Sequence, residues 1–241
     1  MKKQLLYTAA AALLSTSLLG GILVNAADGD DTPQGDTATG TAKITFTGDN
    51  SDPVDPVDPD NPDNPVDPDD PVDPDDPDNH GTDDNGPLSI DYVSNITFGT
   101  QAISSSNHVY DAVNAEPHIQ VTDKRGAEGG WSLTATATKF TAADKSELKG
   151  AVLAFEQGVA RTTSDNTSAK PAVNEDLIFD NTQAKTVMTA ASLAGEGTWL
   201  DVFPGTEGDN QNVRLTVPAG SAQAKEYSAT ITWTLAAGPN A

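Results

Sequence analysis

The chain has 241 residues, 36 of them acidic against 13 basic, with no cysteine and only 36% hydrophobic residues. A net charge of −23 speaks against nucleic acid and anionic membrane surfaces as partners, because phosphate neutralisation needs clustered lysine and arginine. The missing cysteine removes disulfides, thiolate metal sites, thiol nucleophiles and lipid attachment at a thiol.

At the N-terminus, Lys2 and Lys3 precede an apolar stretch from Leu5 to Val24. Val24-Asn25-Ala26 then sets small or modest residues at a cleavage site, and Asp28 follows. This is the pattern of a secretory signal peptide over residues 1–26, cut after Ala26. The alternative is a retained anchor, since the stretch is nearly long enough to span a bilayer. No later segment is apolar enough to cross a membrane. Residues 27–40 read as a flexible mature N-terminus. Ala42–Thr47 alternates apolar and polar residues and predicts a short strand.

Residues 49–86 are of another kind. From Pro53 to Pro77 a proline falls at every third position, with 15 acids and no base across Asp49–Asp84. Three residues per turn is the polyproline II repeat, so the segment predicts an extended, solvated acidic spacer. At ~3.1 Å per residue, Pro53 to Pro77 would reach about 75–80 Å. Calcium binding is a weaker reading, because proline at this spacing prevents the turn that gathers carboxylates on one ion. Recognition as a P-x-x-P ligand is weaker too, since basic partner residues are missing.

From Pro87 onward the sequence is of ordinary globular type, with 17 acids against 10 bases. Strand signals dominate. Leu88–Phe98 carries Ile90, Tyr92 and Ile96; His118–Thr122 alternates. In Trp131–Phe140 the residues Trp131, Leu133, Ala135 and Ala137 share a face. Ala151, Leu153 and Phe155 form another face, as do Val213, Leu215 and Val217. Tyr227, Ala229, Ile231, Trp233 and Leu235 form the last. Short helical turns are expected near Thr141–Leu148 and Thr189–Ala194, and no long amphipathic helix. Many short strands with frequent turns predict an all-β fold, an antiparallel β-sandwich. The chain closes without a hydrophobic tail, a basic stop or an LPxTG-type signal, so retention at a surface is expected to be non-covalent.

Two motifs carry a resemblance. Gly129-Gly130-Trp131-Ser132-Leu133 contains Trp-x-Leu, and Trp233-Thr234-Leu235 repeats it six residues after Tyr227. With Gly86–Tyr92, Phe98-Gly99, Val121–Gly126 and the Asp-Pro spacer, the chain from Thr41 to Leu235 resembles the WxL domain family of low-GC Gram-positive bacteria. The resemblance implies one domain over 41–241, interrupted by the spacer as a projecting loop, with the strand at Ala42–Phe46 part of that domain. It also implies a secreted protein at the cell surface, bound non-covalently to peptidoglycan through both motifs. WxL-interacting membrane-anchored proteins and other surface proteins are the further partners it implies.

The candidate binding residues are Trp131, Leu133, Tyr227, Trp233 and Leu235. Two readings stand side by side. Tryptophan and leucine two apart on a strand share a face that normally packs inward; alternatively an indole lies open for stacking on a sugar or a partner's side chain. Lys124 and Arg125 form a basic turn that could meet anionic wall groups. Trp199, beside Gly195 and Gly197, is either an exposed loop aromatic or a plug at a sheet end. No enzyme is expected: His80, His108 and His118 fit no triad order or metal-ligand spacing, and the acids Glu175, Asp176 and Asp201 have no distinguishing setting. No cofactor or metal is expected.

Overall fold

β-branched residues alternating with small or polar ones suit a pleated, half-buried surface, and the computed structural model builds such runs into twelve strands among the residues it describes. It describes residues 38–48, 52–67, 70–74 and 76–238. In chain order the strands are β1 (Leu88–Val93), β2 (His108–Ala112), β3 (His118–Asp123), β4 (Trp131–Ala137), β5 (Val152–Glu156) and β6 (Val159–Thr162). There follow β7 (Ala172–Val173), β8 (Asp176–Phe179), β9 (Lys185–Ala190), β10 (Gly197–Val202), β11 (Asn210–Val217) and β12 (Ile231–Ala237). The expected signal peptide, residues 1–26, lies outside the described residues. Among those described, no helix is long and apolar enough to cross a membrane.

The strands form three antiparallel sheets, ordered β1-β3-β10-β6, β2-β11-β5-β8 and β12-β4-β9-β7. The all-β antiparallel sandwich expectation holds, with three sheets contributing to one core. Val121 and Trp199 enter it from the first sheet, Phe155 and Leu215 from the second, Leu133 and Met188 from the third. Phe155 stands at its centre, edge-on to Phe203, Phe179 and Trp233 at 5.1, 6.1 and 6.4 Å between centroids. Such contacts add to plain area burial because ring edges and faces carry opposite partial charge.

Three expectations are corrected. Residues 41–48 form no strand, and Ile44 and Phe46 expose 76% and 82% of their surface. Alternation makes a strand only where a sheet edge receives its backbone. The expected helical turns are likewise not helices. Thr141–Leu148 closes as a tight turn, with the Ala142 N–H on the Ser146 carbonyl and Lys145 at φ 67°. Thr189 and Ala190 complete β9, since β-branched Thr186, Val187 and Thr189 favour extended chain.

The third correction concerns the Asp-Pro segment. It is a loop, but its described parts lie on the protein instead of projecting. Val57, 7% exposed, packs on Leu200 and Val202 of β10. Residues 56–58 and 64–66 pair as a small hairpin, with the Val66 N–H on the Pro56 carbonyl and the Asp58 N–H on the Asn64 carbonyl. The arms are tied down by residues that follow β6 and β2. Ser164 N–H donates to Asp63 at 2.7 Å, and the Asn114 amide donates to Asp73 at 2.8 Å. The physical reason is that proline removes only its own donor. The intervening valines and aspartates keep donors, acceptors and methyl groups that a polar sheet face can bind.

Candidate functional site

The pairing of β4 with β12 places the two Trp-x-Leu motifs on neighbouring strands. Leu133 lies opposite Leu235, Trp233 opposite Ala135, and Trp131 opposite Ala237. All four side chains share one face, with the leucines side by side and the indoles at opposite ends. The indoles are offset by four positions along the strand direction, about 14 Å at ~3.4 Å per residue.

The two indoles have different surroundings. Trp131 and Leu133 are 0% exposed. Trp131 Nε1 donates to the Gly195 carbonyl at 2.9 Å. Two glycines make that seat. Gly130, at φ 59°, faces the carbonyls of Ala190 and Ala191 so closely that a Cβ would collide with them. Gly195, at φ 73°, leaves no room for a Cβ beside Ala190 and the indole. Trp233 and Leu235 are half-buried, because β12 is the outer strand of its sheet. Trp233 packs its inner edge on Phe155.

The other side of Trp233 lines an open groove of about 600 Å³ between β12 and β1. Leu88, Ile90 and Val93 form the opposite wall, and Thr82 and Asp84 stand at its rim. Thr82 is fixed there by donating to the Ile90 carbonyl at 2.5 Å, and Asp84 accepts the Gly86 N–H at 2.9 Å. Apolar walls with a few fixed polar groups are the usual composition of a small-molecule site. Sequence pattern marks β1 as a strand but contains no signal that would bring it to Trp233.

The other sequence candidates sit as follows. Tyr227 is half-buried before β12, its hydroxyl accepting the Gln223 N–H at 3.3 Å. Trp199 is 3% exposed within β10, its Nε1 on the Glu196 carbonyl at 3.0 Å. Arg125 forms a two-pronged ion pair with Asp123, at 2.9 and 2.7 Å, and also donates to the Gly130 carbonyl. The guanidinium thereby holds the turn that leads into Trp131. Lys124 donates to the Asp52 carbonyl at 2.7 Å.

Two buried titratable groups lie apart from the groove. His118, stacked on Tyr92 at 4.7 Å, is pushed down to about 4 by burial. Asp201 is 0% exposed, and neither carboxylate oxygen has a hydrogen-bond partner. Burial pushes it up to about 8, so at neutral pH it is held mostly as the neutral acid. Among the described residues no group of three or more His, Asp or Glu side chains is placed to hold a metal ion.

The family model described as "WxL domain surface cell wall-binding" matches residues 33–239. No curated protein and no solved structure matches the chain.

Proposed function

Since the chain belongs to the WxL domain family of surface cell wall-binding proteins, we propose that it binds peptidoglycan non-covalently, through the groove that Trp233 lines. The family is a binding family and not an enzymatic one. The observation that supports the groove is the asymmetry between the motifs. Trp131 is consumed by the core, whereas Trp233 keeps a face toward a cleft walled by Leu88 and Ile90. An indole stacks on the apolar face of a sugar ring, while rim groups such as Thr82 and Asp84 suit sugar hydroxyls. On this reading residues 1–26 direct export, and the mature protein stays at the wall by this contact.

The test is co-sedimentation with bare peptidoglycan sacculi. Wild type is expected in the pellet. Trp233→Ala is expected mostly in the supernatant with its fold intact. Wild type remaining in the supernatant while a known wall binder pellets would remove the reading.

A second reading has its own support. β12 is the outermost strand of its sheet, and an outer strand can take up an extended segment of a partner. A membrane-anchored WxL-interacting protein would then make the wall contact. Pull-down with that partner, in the absence of sacculi, separates the two.

A further inference from the structure

The Asp-Pro segment is held on the first sheet by a built receptor. Gln120 of β3, 0% exposed, grips its main chain from both sides. The amide oxygen accepts the Val57 N–H at 2.9 Å, and the amide nitrogen donates to the Asp55 carbonyl at 3.1 Å. The same nitrogen donates to Asp91, which fixes the amide's orientation. The methyls of Val57 enter the patch formed by Leu200 and Val202. At one end Lys124 takes the Asp52 carbonyl. At the other Arg161 takes the Pro59 carbonyl at 2.5 Å and faces the Asp60 carboxylate at 3.3 Å. Such a site reads an extended backbone, one valine and negative charge.

The sequence offers that ligand four times. Pro-Val-Asp-Pro occurs at 53–56, 56–59, 65–68 and 71–74. In each copy the valine has an N–H, and the residue two positions earlier has a carbonyl. These are the two groups that Gln120 binds at Val57 and Asp55. Val66 lies instead on the second arm of the hairpin, with its N–H on the Pro56 carbonyl. The copies at Val57, Val66 and Val72 also place an aspartate three residues after the valine, where Arg161 meets Asp60, whereas the Val54 copy has Val57 there. Nothing that the receptor contacts distinguishes its own chain from a neighbour.

We propose that this sheet face is a binding site for extended Pro-Val-Asp-Pro segments, filled in cis by Val57 and open by exchange to the repeat of a second copy of this chain. Its own segment competes at an effective concentration on the order of millimolar, so dilute protein keeps the site filled in cis. Copies crowded on a surface exchange segments and link head to tail.

The test uses two complementary variants of the full chain. In the first, Val54, Val57, Val66 and Val72 are all replaced by Ser, which empties the receptor and leaves it intact. In the second, Gln120→Ala with Leu200→Ser removes the receptor and frees the repeat. Each alone is expected to sediment as a monomer, and an equimolar mixture as a 1:1 complex. A fluorescein-labelled peptide of residues 52–60 is expected to bind the first variant about tenfold or more tighter than wild type, which its own segment blocks. The second variant is expected not to bind it. A mixture that stays monomeric, with no peptide binding to a first variant that keeps its β-sheet circular dichroism, overturns the proposal. Should either variant fail to fold, wild type titrated with peptide to ~10 mM decides, because that exceeds the effective concentration of the tethered segment. Movement of the Gln120 side-chain amide signals by NMR supports exchange, and their constancy overturns it.

Discussion

Trp131→Ala and Trp233→Ala remove the same side chain from adjacent strands, yet they should fail in different ways. Trp131 is fully buried and donates to the Gly195 carbonyl. Truncating a buried aromatic costs about 3–5 kcal/mol from lost transfer energy and the cavity left behind. The orphaned Gly195 carbonyl adds roughly 1 kcal/mol. Trp233 is half-buried on an outer strand, so its removal should cost about 2 kcal/mol, near half the cost of truncating a fully buried aromatic. For a domain of this size each kcal/mol moves the midpoint by roughly 2–4 °C. Trp131→Ala should therefore melt roughly 10–20 °C below wild type, and Trp233→Ala within about 8 °C of it. The assay pairs thermal melts by circular dichroism with sacculus sedimentation well below both midpoints. Trp131→Ala should still bind wherever it is folded. Trp233→Ala should be folded and bind weakly. Equal melting points for the two variants, or full binding by folded Trp233→Ala, would refute the assignment of one indole to the core and the other to the ligand.

Other predictions concern buried charge. Asp201 has a raised folded pKa, so between pH 4 and 8 the folded state holds a proton that the unfolded state has released, and stability falls as pH rises through that window. Asp201→Asn should be nearly neutral at pH 4 and stabilising by roughly 2–4 kcal/mol at pH 7, in urea titrations at each pH; a pH-independent difference would be inconsistent with a buried neutral acid. His118 runs the other way: its folded pKa is depressed to about 4, so its stabilising contribution is complete above about 6.5 and is lost as pH falls toward 4. Asp201→Asn should expose that acid limb, and adding His118→Asn should flatten it. Arg125→Met should destabilise by about 3 kcal/mol, because it leaves the Asp123 carboxylate buried without its partner. If Arg125 served wall contact alone, its melting point would not move.

Much of this protein was legible in its sequence because the signals are local. Alternation over Trp131–Ala137 and Val213–Val217 marks strands wherever they pair, since a period of two puts one set of side chains on each face. The pair of Trp-x-Leu motifs named the family, and the alternating runs without a long amphipathic helix pointed to an all-β fold. β2, β6, β7, β8, β9 and β10 were not marked as strands: β6, β7 and β8 are four residues or fewer, too short to show a period, and β9 and β10 bury consecutive residues, so they show no clean alternation. What the tertiary structure alone decided is which strands meet. Among the described residues no strand pairs with its immediate chain neighbour, so every register is set by long-range contact and none by a hairpin turn. That pairing buries Trp131, leaves Trp233 at a groove opposite Leu88 and Ile90, and turns Arg125 toward Asp123. It also gives the Asp-Pro segment a polar sheet face to lie on. A proline every third residue dictates extended backbone, but whether that backbone stays in water depends on Gln120, Leu200 and Arg161, which lie more than sixty residues away.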